Sequence, residues 1–216
     1  MTNTDRVRLY KVLGPDGTPI HGGRGRWVPG KWRSVRGPLV PCEHGLHLVS
    51  ARQLIDYLGP EIWRAETDGE LINAINKYVA RKARITTRVE AWNECSARQF
   101  AADCAEHVLE IFEGLFPGDD RPREAIAACR RYAEGTASLE EASVASYVAY
   151  RAAEEAFEHH ATARAAHSAY AAARASIAPI TAVEAAYYAV DTRAAGAERG
   201  WQSTHLIALL GLEDDA

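Results

Sequence analysis

Cys42, His44 and His47 fall within six residues, in PCEHGLH, and closely spaced sulfur and nitrogen ligands are what zinc takes. Glu43 lies between them, and His21 or Cys95 would supply a fourth ligand. The C-x-H-x-x-H spacing lacks the second ligand pair that structural zinc sites show. The alternative is a turn from Pro41 to Gly45, after which His47 alternates with Leu46 and Leu48 along a strand. A second cluster is basic. Between His21 and Arg36, Arg24, Arg26, Lys31, Arg33 and Arg36 are interleaved with Trp27 and Trp32. Guanidinium for phosphate and an indole for stacking would suit a nucleotide or a single nucleic-acid strand. The same side chains would suit docking on an acidic surface, with the tryptophans as anchors. GGRGRW is neither a P-loop nor a dinucleotide fingerprint. A pI near 6.1 argues against general nucleic-acid affinity. We therefore expect Trp27, Trp32, Arg24, Arg26, Arg33 and Arg36 to bind a protein partner, with nucleotide or phosphate-ligand binding as the alternative.

A third group, Glu154, Glu155, Glu158, His159, His160 and His167, could suggest a carboxylate-bridged metal. The positions three residues after Glu154 and Glu155 are Phe157 and Glu158, so no E-x-x-H motif forms and a solvated helix face is expected. A nucleotide cleft built on His47 and Tyr10, like those of ADP-ribosyl-transferring enzymes, lacks a glutamate at a telling position. Nothing resembles a Ser-His-Asp or Cys-His nucleophile array, so the residues imply no reaction and no cofactor.

The elements that hold these residues divide near residue 88. Of 216 residues, those numbered 1–90 contain 15 Lys/Arg against 9 Asp/Glu, and 91–216 contain 10 against 20, so a net charge of −4 conceals a basic half and an acidic half. The basic half is rich in Gly, Pro and Trp. Its strand candidates are 7–13, 31–35, 45–49 and 61–67. Ser50 and Gln53 suggest a capping box for a short helix ending at Leu58, and the alternation over 78–89 suggests an edge strand, with a helix as the other reading. The acidic half reads as helix. Capping boxes are expected at Thr87/Glu90, Ser138/Glu141 and Thr181/Glu184, and Asp119-Asp120-Arg121-Pro122 marks a further start. The spacing predicts helices over about 87–115, 121–134, 139–177 and 182–211, the last weakened at Gly196 and Gly200. Residues 141–200 contain 23 alanines, which favours close helix packing with tyrosines filling the gaps. The fold class expected is α+β: a β-rich module, 1–88, packed on an antiparallel bundle of about four helices, 89–216.

Cys42, Cys95, Cys104 and Cys129 form no paired pattern and read as reduced thiols, the last three as small buried hydrophobes. No stretch has the ~18 uncharged apolar residues of a membrane helix, and MTNTDRVR lacks a signal peptide's apolar core, so a cytoplasmic location is expected. A homo-oligomer built on the Ala-rich helices remains open.

The segment 92–135, from WNECSARQFAADCAEHVL through DDRPREAI, with ARAAHSAYAAARASI at 163–177 and the closing AAYYAVDTRAAGAERGWQSTHLIALLG, resembles the immunity proteins of bacterial polymorphic toxin systems over about 88–211. The resemblance implies an all-helical domain that neutralises a toxin by binding it. The N-terminal part, with LYKVL and GLH, is similar to domains of unknown function in phage and actinobacterial proteins. The fusion implies an immunity or phage accessory factor whose partner is a toxin or a host or phage protein.

Overall fold

The computed structural model describes residues 7–175, 182–192 and 195–213. The fold is α+β: an antiparallel sheet in the first 88 residues, then six helices. By their contacts the residues form two compact units, one of 1–92 together with 203–216, the other of 93–202.

In the β unit, β1 (Leu9–Leu13), β2 (Arg33–Ser34), β3 (Leu46–Leu48), β4 (Glu61–Ala74) and β5 (Lys77–Arg88) form one sheet in the order β1-β4-β5-β2, with β3 also pairing β5. The segment expected at an edge is thus interior: β5 has β4 on one side and β2 and β3 on the other. Its charges do not repel neighbours, because Arg81, Lys82 and Arg84 lie near Glu70, Asp68 and Glu66 on β4, with Lys82–Asp68 at 2.7 Å. The β4–β5 hairpin slips register between Asp68 and Leu71, where Gly69 adopts φ +78°. Leu9, Leu13, Trp27, Leu46, Leu48, Ala80, Ala83 and Ile85 form the core of this sheet. The short helix expected after Ser50 is a single 3-10 turn, Leu54–Asp56, although Gln53 Oε1 does accept from Ser50 N at 3.0 Å. The C-terminal segment returns to this unit: Ser203 Oγ donates to Arg52 O at 3.0 Å, and Arg8 pairs with Glu213.

The helical unit contains α1 (Glu94–Leu115), α2 (Arg121–Ala133), α3 (Leu139–Glu155), α4 (His160–Arg174), α5 (Ala182–Val190) and the first half of α6 (Ala195–Leu209). The helix expected from Thr87 starts at Glu94 instead. Residues 77–88 are held in the sheet, and Asn93 caps α1 by accepting from Cys95 N (3.0 Å) and Ser96 N (3.2 Å). The Ser138/Glu141 capping box forms as expected, with bonds of 2.6 and 3.1 Å. The long helix expected over 139–177 is broken at 156–159, and the α3 and α4 segments pack on each other. The last helix is likewise two helices, and Gly196 and Gly200 lie inside α6 rather than at the break. Thr181 lies outside the described residues.

α4 packs against α1, α2, α3 and α5, and alanine makes this possible. Ala163, Ala165, Ala166, Ala169, Ala171, Ala172 and Ala173 are all buried, so neighbouring backbones approach closely. The tyrosines do not fill the core: Tyr147 is 62% exposed and Tyr187 56%. Of the cysteines read as buried, Cys104 and Cys129 are, whereas Cys95 is exposed.

Candidate functional site

The basic loop separates into residues that hold it together and residues that face outward. Arg33 donates to the carbonyls of Arg24 (2.7 Å), Gly25 (2.9 Å) and Arg26 (3.1 Å), and its guanidinium lies 5.0 Å from the centre of the Trp27 ring. It gathers the loop around itself. Trp27 is buried in the sheet's core. Trp32 is 40% exposed, with Lys82 and Arg84 each 4.7 Å from its ring centre. Arg24, Arg26 and Arg36 are exposed. The six residues expected to meet a partner therefore do not form one surface: Trp27 and Arg33 serve the unit's own packing.

Cys42, His44 and His47 are close but separately engaged. The His44 ring bonds to Arg36 O at 2.7 Å, His47 Nε2 accepts from Cys42 N at 3.1 Å, and Cys42 Sγ accepts from Lys77 Nζ at 3.3 Å. Among the described residues no group of three or more His, Cys, Asp or Glu side chains is placed to hold a metal ion. Cys42 itself sits at φ +68°, in the left-handed region that favours glycine.

These residues instead border a cavity of about 260 Å³ in the β unit. Lys11 from β1, His47 from β3, Lys77 from β5, and His21, Cys42 and Tyr57 from the loops contribute to its wall. The His21 ring bonds to Tyr57 O at 2.9 Å, which fixes the loop against the wall. Burial, and then the charges of Lys11 and Lys77, hold the His47 pKa below its usual range, so the ring is neutral at pH 7. The sequence reading linked Tyr10 with His47, and both do line this cavity. It did not find Lys11 or Lys77. The available signal was a lysine inside the otherwise apolar run LYKVL.

On the helical unit an aromatic face takes shape around α4. The helix leaves one row partly open, Arg164, His167, Tyr170 and Arg174, with buried residues on both sides. Tyr150 from α3 lies 5.4 Å from Tyr170, and Tyr188 from α5 lies 5.3 Å from His167, between ring centres. Arg164 stands over Tyr188 and Arg174 over Tyr170, at 5.3 and 5.5 Å. Tyr187, beside Tyr188, extends the face outward, and Tyr147, three residues before Tyr150 on α3, is exposed. His167 was read as part of a solvated face; it is half-buried among these rings, where burial lowers its pKa against the opposing pull of Ala163 O and Glu154.

The charged positions of the helical half form internal pairs. Arg121 bridges Asp119 and Glu155, both at 2.6 Å, and so ties the start of α2 to the end of α3; its guanidinium lowers the pKa of both carboxyls. Arg98 pairs with Glu94 at 3.0 Å, Asp103 with Arg130 at 2.9 Å and Arg123 with Glu113 at 2.6 Å. A buried polar network escaped the sequence reading. Glu198, 1% exposed, accepts from the His107 ring at 2.8 Å and from Gln202 Nε2 at 3.1 Å, and His107 stacks on Trp201 at 3.8 Å. Gln202 Nε2 also donates to Ala186 O at 2.8 Å, so the network joins α1, α5 and α6. Its members lie in AADCAEHVL and GAERGWQS, two of the segments that carried the resemblance.

The family described as Imm-5 like putative immunity protein matches residues 88–208, more than half of the chain. The chain belongs to this family. The match runs from α1 into α6, and so includes both the aromatic face and the His107–Glu198–Gln202 network. No curated protein matches the chain, and neither does any solved structure. No helix among the described residues is long and apolar enough to cross a membrane.

Proposed function

We propose that this chain neutralises a protein toxin by binding it, and that the aromatic face on α3, α4 and α5 makes the contact. Family membership supplies the immunity role, and the face supplies a surface of the right chemistry. Tyrosine and arginine are the residues that concentrate binding energy in protein interfaces, because each offers a large rigid contact together with a polar group. Here Tyr150, Tyr170, Tyr187 and Tyr188 lie together with Arg164 and Arg174. Exposed Val144 and Tyr147, three residues apart on α3, add apolar area that packing within the unit does not explain. On the β unit, Trp32, Arg24, Arg26 and Arg36 are exposed and would bind a protein partner there.

The test is protection in co-expression. Each toxin candidate encoded near the gene is expressed with the chain, and growth is measured. One candidate should be neutralised by the wild type, and the Tyr147→Ala/Tyr187→Ala variant should lose protection while keeping its melting temperature, since both side chains are more than half exposed. Full protection by that variant would remove the aromatic face from the proposal, and failure against every candidate would remove the immunity reading.

A further inference from the structure

The cations of the β unit differ in what they meet. On β5, Arg81 pairs with Glu70, Lys82 with Asp68, Arg84 with Glu66 and Arg88 with Glu61, whereas Arg64 on β4 stands 5.9 Å from the centre of the Tyr10 ring. Lys11 and Lys77, which line the cavity, pair with no carboxylate among the described residues. Lys11 is largely buried. Its ammonium donates to His47 O at 2.9 Å and stands 5.5 Å from the centre of the Trp27 ring. Burial, and then the like charge of Arg33, hold its pKa down to about 8. Lys77 donates to Cys42 Sγ and stands 5.5 Å from the centre of the Tyr57 ring. Both ammonium charges act on His47, which lines the same cavity.

An aliphatic side chain at position 11 would suit the strand better. Leu9, Tyr10, Val12 and Leu13 around it are all buried, and a charge held in that setting works against folding at neutral pH. Positions that sacrifice stability in this way mark sites kept for another purpose.

We propose that the cavity binds a small organic phosphate, a monoester of sugar-phosphate or mononucleotide size, with Lys11 and Lys77 holding the phosphate. This goes beyond the toxin-binding reading and stands independently of it. Two ammonium groups without a carboxylate partner suit two negative charges, and a phosphate monoester with its second ionisation near pH ~6 supplies both at neutral pH. A single carboxylate would leave one lysine unanswered. Glu43, exposed at the rim, is the one carboxylate on the lining, so the lining keeps a net positive charge. A volume of about 260 Å³ is below the ~300–1,000 Å³ of drug-sized sites, which limits the ligand to a small one. Val12, Leu48 and Tyr57 offer an apolar wall for its uncharged part, and Gly22 and Gly23 leave the approach free of side chains.

Titration calorimetry of the full chain tests this, with ribose 5-phosphate and AMP as probes and with ribose, adenosine and succinate as controls. The two phosphates should bind; the controls should not. Lys11→Met and Lys77→Met should each weaken binding by about tenfold or more, the usual loss for a charge-assisted hydrogen bond. Arg24→Ala/Arg26→Ala, on the loop outside the cavity, should leave the affinity unchanged. Because Lys11 is partly deprotonated at and above pH about 8, a bound dianion should draw a proton onto it. That uptake appears as a difference in heat between buffers of unlike ionisation enthalpy, and Lys11→Met should abolish it. Lys11→Met should also melt no lower than the wild type, so lost binding cannot be lost folding. The proposal is overturned if neither phosphate binds, if ribose, adenosine or succinate binds as tightly, if both lysine variants bind normally, or if the Arg24/Arg26 variant is the one that fails.

Discussion

The two units fill their interiors in opposite ways. In the β unit large side chains are fully buried, Tyr10, Leu13, Leu48, Leu54, Ile62 and Ile85, with Ala80 and Ala83 between them. In the helical unit, away from Phe100 and Phe112 on α1, the buried positions of α3, α4 and α5 are almost all alanine. A sheet sets its neighbouring layer about 10 Å away, so its side chains must be long enough to fill that depth. Helices can be drawn together until small residues touch, and then there is no depth to fill. One interior is therefore vulnerable to removal of atoms and the other to their addition.

The sharpest test of this contrast is truncation in the sheet. Leu48→Ala should destabilise the β unit by about 2–5 kcal/mol, because the pleat cannot collapse onto the missing volume. Protection of β4 and β5 amides in hydrogen exchange should fall accordingly. Enlargement in the helices comes next. Ala169→Leu, at a fully buried position on α4, should cost about 1–3 kcal/mol by forcing α4 from its neighbours, read as loss of helical circular dichroism at lower denaturant. Were Ala169→Leu silent, the helical interior would contain slack and the contrast would fail.

A local effect should follow in size. Asn93→Ala removes the acceptor for Cys95 N and Ser96 N and should cost about 0.5–2 kcal/mol, seen as increased exchange in the first turn of α1. The smallest effect is shared by the units. His47 in one and His167 in the other have pKa values lowered from 6.5, in both cases chiefly by burial. A base whose folded pKa is depressed contributes its stability fully above the unfolded value and loses it as pH falls through the folded one. Melting temperature should thus decline as pH drops below about 6.5, and His47→Gln or His167→Gln should each flatten that decline.

Local signals in the sequence were reliable where the neighbouring residues settle the outcome. The Ser138/Glu141 box needs only its own turn, and it forms. Arg98 likewise pairs with a carboxylate four residues away, and Arg121 with Asp119 close by as well as Glu155 from α3. The same logic failed at Thr87/Glu90, where pairing with β4 outweighs a capping pattern. It also failed at 156–159, where AFEH contains neither Gly nor Pro. Nothing local ends α3 there; the break lets two alanine-faced segments pack on each other, with Ser146 Oγ donating to Tyr170 O at 3.3 Å. The candidate sites show the same division. Arg and Trp in the loop were visible as types, but that Arg33 and Trp27 serve the loop and the core depends on where the chain folds back.

The sequence by itself determined the α+β class, the change of character near residue 88, the family of the helical part and the capping of α3. Each rests on composition, on contiguous sequence motifs or on residues within one turn of one another. Only the tertiary structure decided that β5 is interior, that residues 203–213 return to the sheet unit, that Lys11, His47 and Lys77 line one cavity, and that four tyrosines share one face. These depend on contacts between residues tens of positions apart. Such contacts are selected by how well whole surfaces fit, and no short window of sequence records that fit.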